Sequence, residues 1–351
     1  MRRAMILAVL VTGTCLTAQQ QTGSPAGSAP REGVIRTVPR MHPTIQAAIL
    51  AASSGDRIVL SPGTYVENID LLDKRLVIEG ASTPEVTRID GNANLMPVVR
   101  AQTKNTSGTI LRNLTLTGGT GLPTAALKAT DYYGGGLCAM GGATVRLENC
   151  HLVDNGNKGQ GATFGGGVYA GGKGTRVELH GCLVRNNNAW ASGGATLADN
   201  GATIVHDRCT IVGNHARAWA FGHQGGVSVA NGATALVSNS IVWDNAGFQV
   251  RAFGPPYDEG CTIQVTFSTV QNGIEGKGNL LKNPKFVDAE KGDFRLLSDS
   301  PCIDAGDPDA PRDADGTPTE QGAFPVAQSI VPKLQQPSKP VQEPAPQPKK
   351  G

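Results

Sequence analysis

The sequence predicts an all-β protein, a parallel β-helix solenoid with a short N-terminal capping helix, on three observations. Four consecutive stretches, Gly134 to Asn155, Gly165 to Asn187, Gly193 to Asn214 and Gly225 to Asn245, can be laid on one another almost letter for letter. Each carries glycines, a short strand-like run, a Gly-Ala-Thr-like turn, a second alternating run, Cys or Ser, an aliphatic residue two later and Asn five later. This marker recurs at Cys150, Cys182, Cys209 and Ser240, with spacings of 32, 27 and 31 residues. The apolar runs are short with period 2, whereas helical repeats of this length need runs of about ten or more residues with a 3.6 period. One unit is one coil, and the core grows coil by coil.

Along the chain, Arg2 and Arg3 precede an apolar run from Ala4 to Val11 and small residues up to Ala18. That is the pattern of a secretory signal peptide over residues 1–18, and it predicts a secreted, periplasmic or cell-surface protein. Cys15 follows Thr14, a poor match to a lipidation signal. Residues 19–33 and 327–351 are rich in Pro, Gln, Ser and Gly or Lys and are expected to be a disordered linker and tail. The β-helix domain is expected over 34–326. No segment after the leader approaches the roughly 18 continuous apolar residues of a membrane span.

A solenoid must cover the open end of its first coil. Residues 43–54 supply an amphipathic helix with Ile45, Ala48, Ile49 and Ala52 on one face, ended by Gly55 and Asp56. Strands are then expected over Arg57 to Leu60, Tyr65 to Leu71 and Leu76 to Glu79, followed by an irregular coil over about residues 87–118.

Within the four coils, alternation puts Cys150, Cys182 and Cys209 on the inner face with Leu152, Val184 and Ile211. Asn155, Asn187, Asn214 and Asn245 are expected to form a ladder at a turn. His206 falls in register with Leu147, Leu179 and Val237 and reads as a neutral, hydrogen-bonded core histidine. Neighbouring in-register strands rarely give disulfide geometry, so mostly free thiols are expected, with Cys261 and Cys302 the pair best suited to a bridge.

Two segments carry a family resemblance. Ile45-Gln46-Ala47-Ala48 through Gly55-Asp56 to Pro62-Gly63-Thr64-Tyr65-Val66-Glu67-Asn68-Ile69 resembles the cap and first coil of right-handed parallel β-helix repeat proteins of the pectin-lyase-like superfamily. Asn283 to Asp288, Gly292 to Leu296 and Ser300 to Gly306 resemble the closing segment of exported bacterial members. The resemblance implies the right-handed fold and leaves activity open, because the superfamily holds lyases, hydrolases, esterases and adhesins.

Composition and motifs narrow the function. The net charge is +2, and without the leader and tail the folded part counts to about −3, so no basic surface points to nucleic acid. The Asp-Asp motif of polygalacturonase-like hydrolases does not occur, their Asn-x-Asp occurs once, as Asn68-Ile69-Asp70 in the capping segment, and Gly222-His223-Gln224-Gly225 echoes only their Gly-His-Gly. Pectin methylesterase-like enzymes share Gly63-x-Tyr65-x-Glu67, but their catalytic segments are missing, which makes the motif a capping feature.

A lyase of the pectate type would need carboxylates for calcium and a base. Two positions before the marker, the outward column reads Glu148, His180, Asp207 and Ser238, with Arg146, Glu178 and Arg208 close by. Coils about 4.8 Å apart bring these side chains together, and a cross-strand charge ladder accounts for the same residues. The loops after each Asn carry Tyr132, Tyr133, Lys158, Phe164, Trp190, His215, Arg217, Trp219, Phe221 and His223. Tyr132, Tyr133, Phe164, Trp190, Trp219 and Phe221 are a candidate stacking surface for a glycan. Covering the solenoid edge is the plainer role.

No metal site is assigned: His215 and His223 match no zinc spacing, and Asp313-x-Asp315-Gly316 begins a calcium loop that lacks its later ligands. No cofactor is expected, calcium being the one cation the run from Asp304 to Asp315 would suit. The expectation is thus an exported monomer, binding extracellular polysaccharide or serving as a noncatalytic scaffold. The alternative is a polysaccharide lyase on a uronic-acid polymer, using Glu148, His180 and Asp207 or a base such as Lys158, Arg217 or His223.

Overall fold

The computed structural model describes residues 33–92, 94–106, 108–123, 131–156, 162–217, 224–313 and 315–324. The expected leader, the tail and nearly all of the linker lie outside the described residues, as do Lys158, Trp219, Phe221 and His223.

Each repeat contributes one short strand to each of three parallel sheets. In the first repeat these are Leu137–Met140, Thr144–Glu148 and His151–Val153. The corner between the last two is Asn149, whose φ of 48° lies in the left-handed region that Asn tolerates better than most residues. Among the described residues the first sheet has nine strands, from Ile35–Val38 to Thr262–Thr266, and contains Thr144–Glu148. The second has eight, from Gly63–Val66 to Thr269–Val270, and contains His151–Val153. The third has seven, from Ile69–Asp70 to Val250–Ala252, and contains Leu137–Met140.

The register is the one the repeat implies. Glu148 pairs with His180, His180 with Asp207 and Asp207 with Ser238. Inward columns fill the core. Cys150, Cys182 and Cys209 are fully buried, and their thiols lie 3.3–3.6 Å from carbonyls of the preceding coil, those of Leu111, Leu147 and Leu179. At the next two levels Ser240 and Ser268 replace the thiol and accept from Cys209 N and Ser240 N.

The Asn ladder forms as expected. Asn187 Oδ1 accepts from both Asn155 N (3.0 Å) and Asn155 Nδ2 (3.1 Å), and the pattern repeats through Asn214 and Asn245. Gln249 ends it, its Oε1 accepting from Asn245 Nδ2 at 2.8 Å. His206 is fully buried; its Nε2 lies 3.3 Å from Thr196 Oγ1 and its Nδ1 has no partner. Burial, helped by nearby His180, pushes its pKa down to about 3, so the ring is neutral.

The helix Ile45–Ala51 seals the first coil with Ile45, Ala48 and Ile49 buried. Thr44 caps it, and the Glu67 carboxylate accepts from Ile45 N (2.9 Å) and Gln46 N (3.0 Å). Glu67 therefore holds the orphan N–H groups of the helix start, where the helix dipole also favours an anion.

Two expectations need correction. The run from Tyr65 to Leu71 is two strands, Gly63–Val66 in the second sheet and Ile69–Asp70 in the third. A solenoid corner at Glu67 and Asn68 divides them, and alternation does not reveal a corner. Cys261 and Cys302 are both free. Cys261 packs against the solenoid core, whereas Cys302 belongs to a separate cluster with Ile241 and Leu296 and lies 3.3 Å from Thr269 Oγ1.

After the last coil the chain folds back instead of extending the solenoid. The antiparallel hairpin Phe286–Asp288 and Asp293–Leu296 sits on the outer face of the second sheet, where Phe294 packs with Leu183 and Val212. Among the described residues no helix is long and apolar enough to cross a membrane.

Candidate functional site

The outward face of the first sheet carries Glu148, His180 and Asp207 side by side, inside a ladder of ion pairs. Glu79 meets Arg57 and Arg112, and Arg112 Nε donates to Glu148 at 2.8 Å. Arg146 joins Glu148 (3.8 Å) to Glu178 (2.7 Å), and Arg176 reaches Glu178 from the other side at 2.6 Å. His180 lies between Glu178 (3.5 Å) and Asp207 (3.6 Å). Asp207 also meets Arg208 at 3.3 Å and accepts from Ser238 Oγ and Asn239 Nδ2.

Burial tends to raise the Glu178 pKa, but hydrogen bonds and charge from Arg176 and Arg146 outweigh it and hold the group at about 2. Asp207 follows the same balance: burial raises it, and His180, Asn239, Ser238 and Arg208 bring it to about 2. A general acid needs a carboxyl that keeps its proton near neutral pH, and a calcium site needs negative charge in excess. These carboxylates are ionised and each is matched by a neighbouring base. Among the described residues no group of three or more His, Cys, Asp or Glu side chains is arranged to hold a metal ion.

The third sheet presents a different surface. Tyr169 and Leu197 are outward neighbours in register, and Asp199 lies two residues on, opposite Gly171. A Cβ on Gly171 would stand 2.5 Å from Tyr169 Cε1, so glycine lets the phenol ring lie along its own strand. From there the Tyr169 hydroxyl donates to Asp199 Oδ2 at 2.9 Å. Burial, and then the Asp199 charge, push the Tyr169 pKa upward and keep it a donor. Asn200 Nδ2 (2.9 Å) and Asn231 Nδ2 (2.7 Å) also donate to Asp199.

Loop strands stack on this face in step with the coils. Asp131–Tyr133 pairs in parallel with Ala162–Phe164, placing the Tyr133 and Phe164 rings 5.4 Å apart at 15°. Tyr133 meets Tyr169 edge-on at 4.7 Å, and Phe253 meets Tyr257 edge-on at 5.4 Å. Together Tyr133, Phe164, Phe253 and Tyr257 wall a pocket of about 180 Å³ over Leu197, Asp199, Ala230 and Asn231.

Of the loop aromatics read from the sequence, Tyr133 and Phe164 meet in this pocket. Tyr132 is partly exposed and pairs with Thr163. Trp190 is 47% exposed and follows Asn188–Ala189, which pairs with His215–Ala216. Arg217 N bonds Ala189 O at 3.2 Å at the end of the same stack. Sequence reasoning missed Tyr169, Asp199, Asn231, Phe253 and Tyr257. The usable signal was the outward pair of strands Val168–Gly171 and Thr196–Asp199, which carry an aromatic and a carboxylate among small residues.

Residues 94–242 match the family model described as the right handed beta helix region, and the fold is a right-handed parallel β-helix. No curated protein matches the sequence. Among solved structures the chain is similar to a pectin methylesterase from Aspergillus niger, at 14% identity over 72% of this chain and 84% of that one, with a TM-score of 0.39. It is also similar to a pectin methylesterase in complex with a hexasaccharide (14%, 71% and 82%, TM-score 0.41). A third is a pectate lyase (14%, 86% and 98%, TM-score 0.36).

Proposed function

We propose that this chain is an exported, noncatalytic β-helix that binds neutral sugar units of an extracellular polysaccharide in the aromatic pocket of the third sheet. The carrying observation is the pocket itself: four aromatic side chains around a carboxylate fixed by three donors, with no cation among the described residues that line it. Aromatic faces stack on the C–H faces of a pyranose, and a carboxylate accepts up to about four hydrogen bonds, which leaves Asp199 room for a sugar hydroxyl. The signal-like residues 1–18 support export. The ion-paired state of Glu148 and Asp207 supports a binding role over acid–base chemistry on the first sheet.

Calorimetric titration with neutral hexasaccharides of glucose, mannose and xylose tests this. At least one should bind saturably, and Tyr257→Ala should weaken it about tenfold, or about 1.4 kcal/mol. Absence of binding by all three to the folded protein overturns the reading.

A further inference from the structure

A second cleft lies between the outer face of the second sheet and the closing hairpin, and it shares no lining residue with the aromatic pocket. Its geometry follows from the register. Arg185, Val212 and Trp243 are outward partners on successive strands, each followed by a turn residue, Asn186, Gly213 and Asp244. Strands about 4.8 Å apart put the Cα atoms of Arg185 and Trp243 about 10 Å from each other. Between them stand only Val212 and the side-chain-free Gly213. The result is a slot of about 560 Å³, roofed by Phe286 and Phe294 with Asn283, Lys285 and Glu290 at its lip.

The charges lining this slot are unusual for the chain. On the first sheet Arg112, Arg146, Arg176 and Arg208 each meet a carboxylate. Among the described residues Arg185 has no carboxylate partner, and neither Asp244 nor Glu290 has a cationic one. Arg185 is nonetheless held in place: its guanidinium carbon lies 5.3 Å from the centre of the Phe294 ring, and a Cβ on Gly292 would come within 2.4 Å of its Nη1. It also lines a second cavity of about 340 Å³ that continues past Gly292 towards His151. A fixed guanidinium with free donors suits one carboxylate. Two unpaired acids beside an indole suit an ammonium, which the indole face also attracts.

We propose that this cleft binds a short zwitterionic peptide, its carboxylate on Arg185 and its ammonium groups between Asp244 and Glu290 over Trp243. The two acids repel a phosphate dianion, and a neutral sugar would leave Arg185, Asp244 and Glu290 unmatched, whereas Lys285 at the lip already pairs with Asp299 at 2.6 Å.

The probe is the tripeptide Ala-Lys-Ala with free termini, titrated into the full chain by calorimetry. Its C-terminal amide and N-acetyl forms are compared with it. Saturable binding of the free peptide is expected, weakened at least tenfold by amidation or by Arg185→Gln. Asp244→Asn with Glu290→Gln should remove the penalty for acetylation. Tyr257→Ala, in the other pocket, should change nothing here, so the two sites fail or succeed separately. Thermal melting confirms that each variant is folded. The proposal is overturned by no saturable binding of the free peptide to the wild-type protein, by equal affinity for free and amidated forms, or by unchanged affinity in folded Arg185→Gln.

Discussion

Tyr169 and Asp199 sit on adjacent strands of the third sheet, and the phenol hydroxyl donates to the carboxylate at 2.9 Å across the bare backbone of Gly171. Tyr169→Phe removes that hydrogen bond and leaves a partly buried carboxylate short of a donor. Stability should fall by about 1–2 kcal/mol, read from urea unfolding. Gly171→Ala should tilt the ring off Asp199. Both variants should weaken binding of a neutral hexasaccharide several-fold, and an unaltered affinity in both would show that Asp199 takes no part.

The Asn ladder makes a sharper stability prediction. Asn187 Oδ1 is the acceptor for two donors of Asn155, and Asn187 Nδ2 donates to Leu152 O and Asn214 Oδ1. Asn187→Ala orphans several buried groups and should cost about 3 kcal/mol or more. A loss under about 1 kcal/mol in urea unfolding would mean the ladder is decoration.

Acid should unfold the protein through identifiable groups. Glu178 and Asp207 have folded pKa values of about 2, below their unfolded values. Their stabilisation is present above the unfolded carboxylate range, about pH 4, and is lost as pH falls towards 2. His206, neutral in the fold with a pKa of about 3, adds an earlier loss that begins below its unfolded value of about 6.5. His206→Leu should therefore flatten the decline in melting temperature between about pH 6 and pH 4. A decline as steep as that of the wild type would contradict this assignment.

The closing segment should respond in the opposite sense. Glu320 is buried beside Asp313, and burial together with that carboxylate raises its pKa to about 7. A raised acid favours the fold while protonated, so its contribution is complete below about pH 4.3 and is lost as pH rises through 7. Amide exchange across residues 304–324 should quicken between pH 5 and 8, after correction for intrinsic rates, and Glu320→Gln should abolish the change.

The solenoid was legible because each coil repeats the same inward letters. Cys150, Cys182, Cys209 and the four asparagines fix register by themselves, and one residue of slip would expose every one of them. The outward column of Glu148, His180 and Asp207 followed from that register, although its pairing with arginines from three strands depends on side-chain reach. The aromatic pocket was not legible, because it joins parts of the chain that share no pattern. Tyr169 and Asp199 come from strands read mainly for their glycines, Tyr133 and Phe164 from loops, and Phe253 and Tyr257 from beyond the last repeat. The cleft at Arg185 was hidden for a similar reason: its roof is a hairpin whose return across the second sheet no local pattern encodes.

The most direct measurement is a crystal structure of the protein bound to a neutral hexasaccharide. A sugar ring packed against Phe164 and Tyr257, with a hydroxyl on Asp199, is the predicted result. A saccharide seated on the ion-pair ladder at Glu148, His180 and Asp207, with the aromatic pocket empty, would contradict the proposed function.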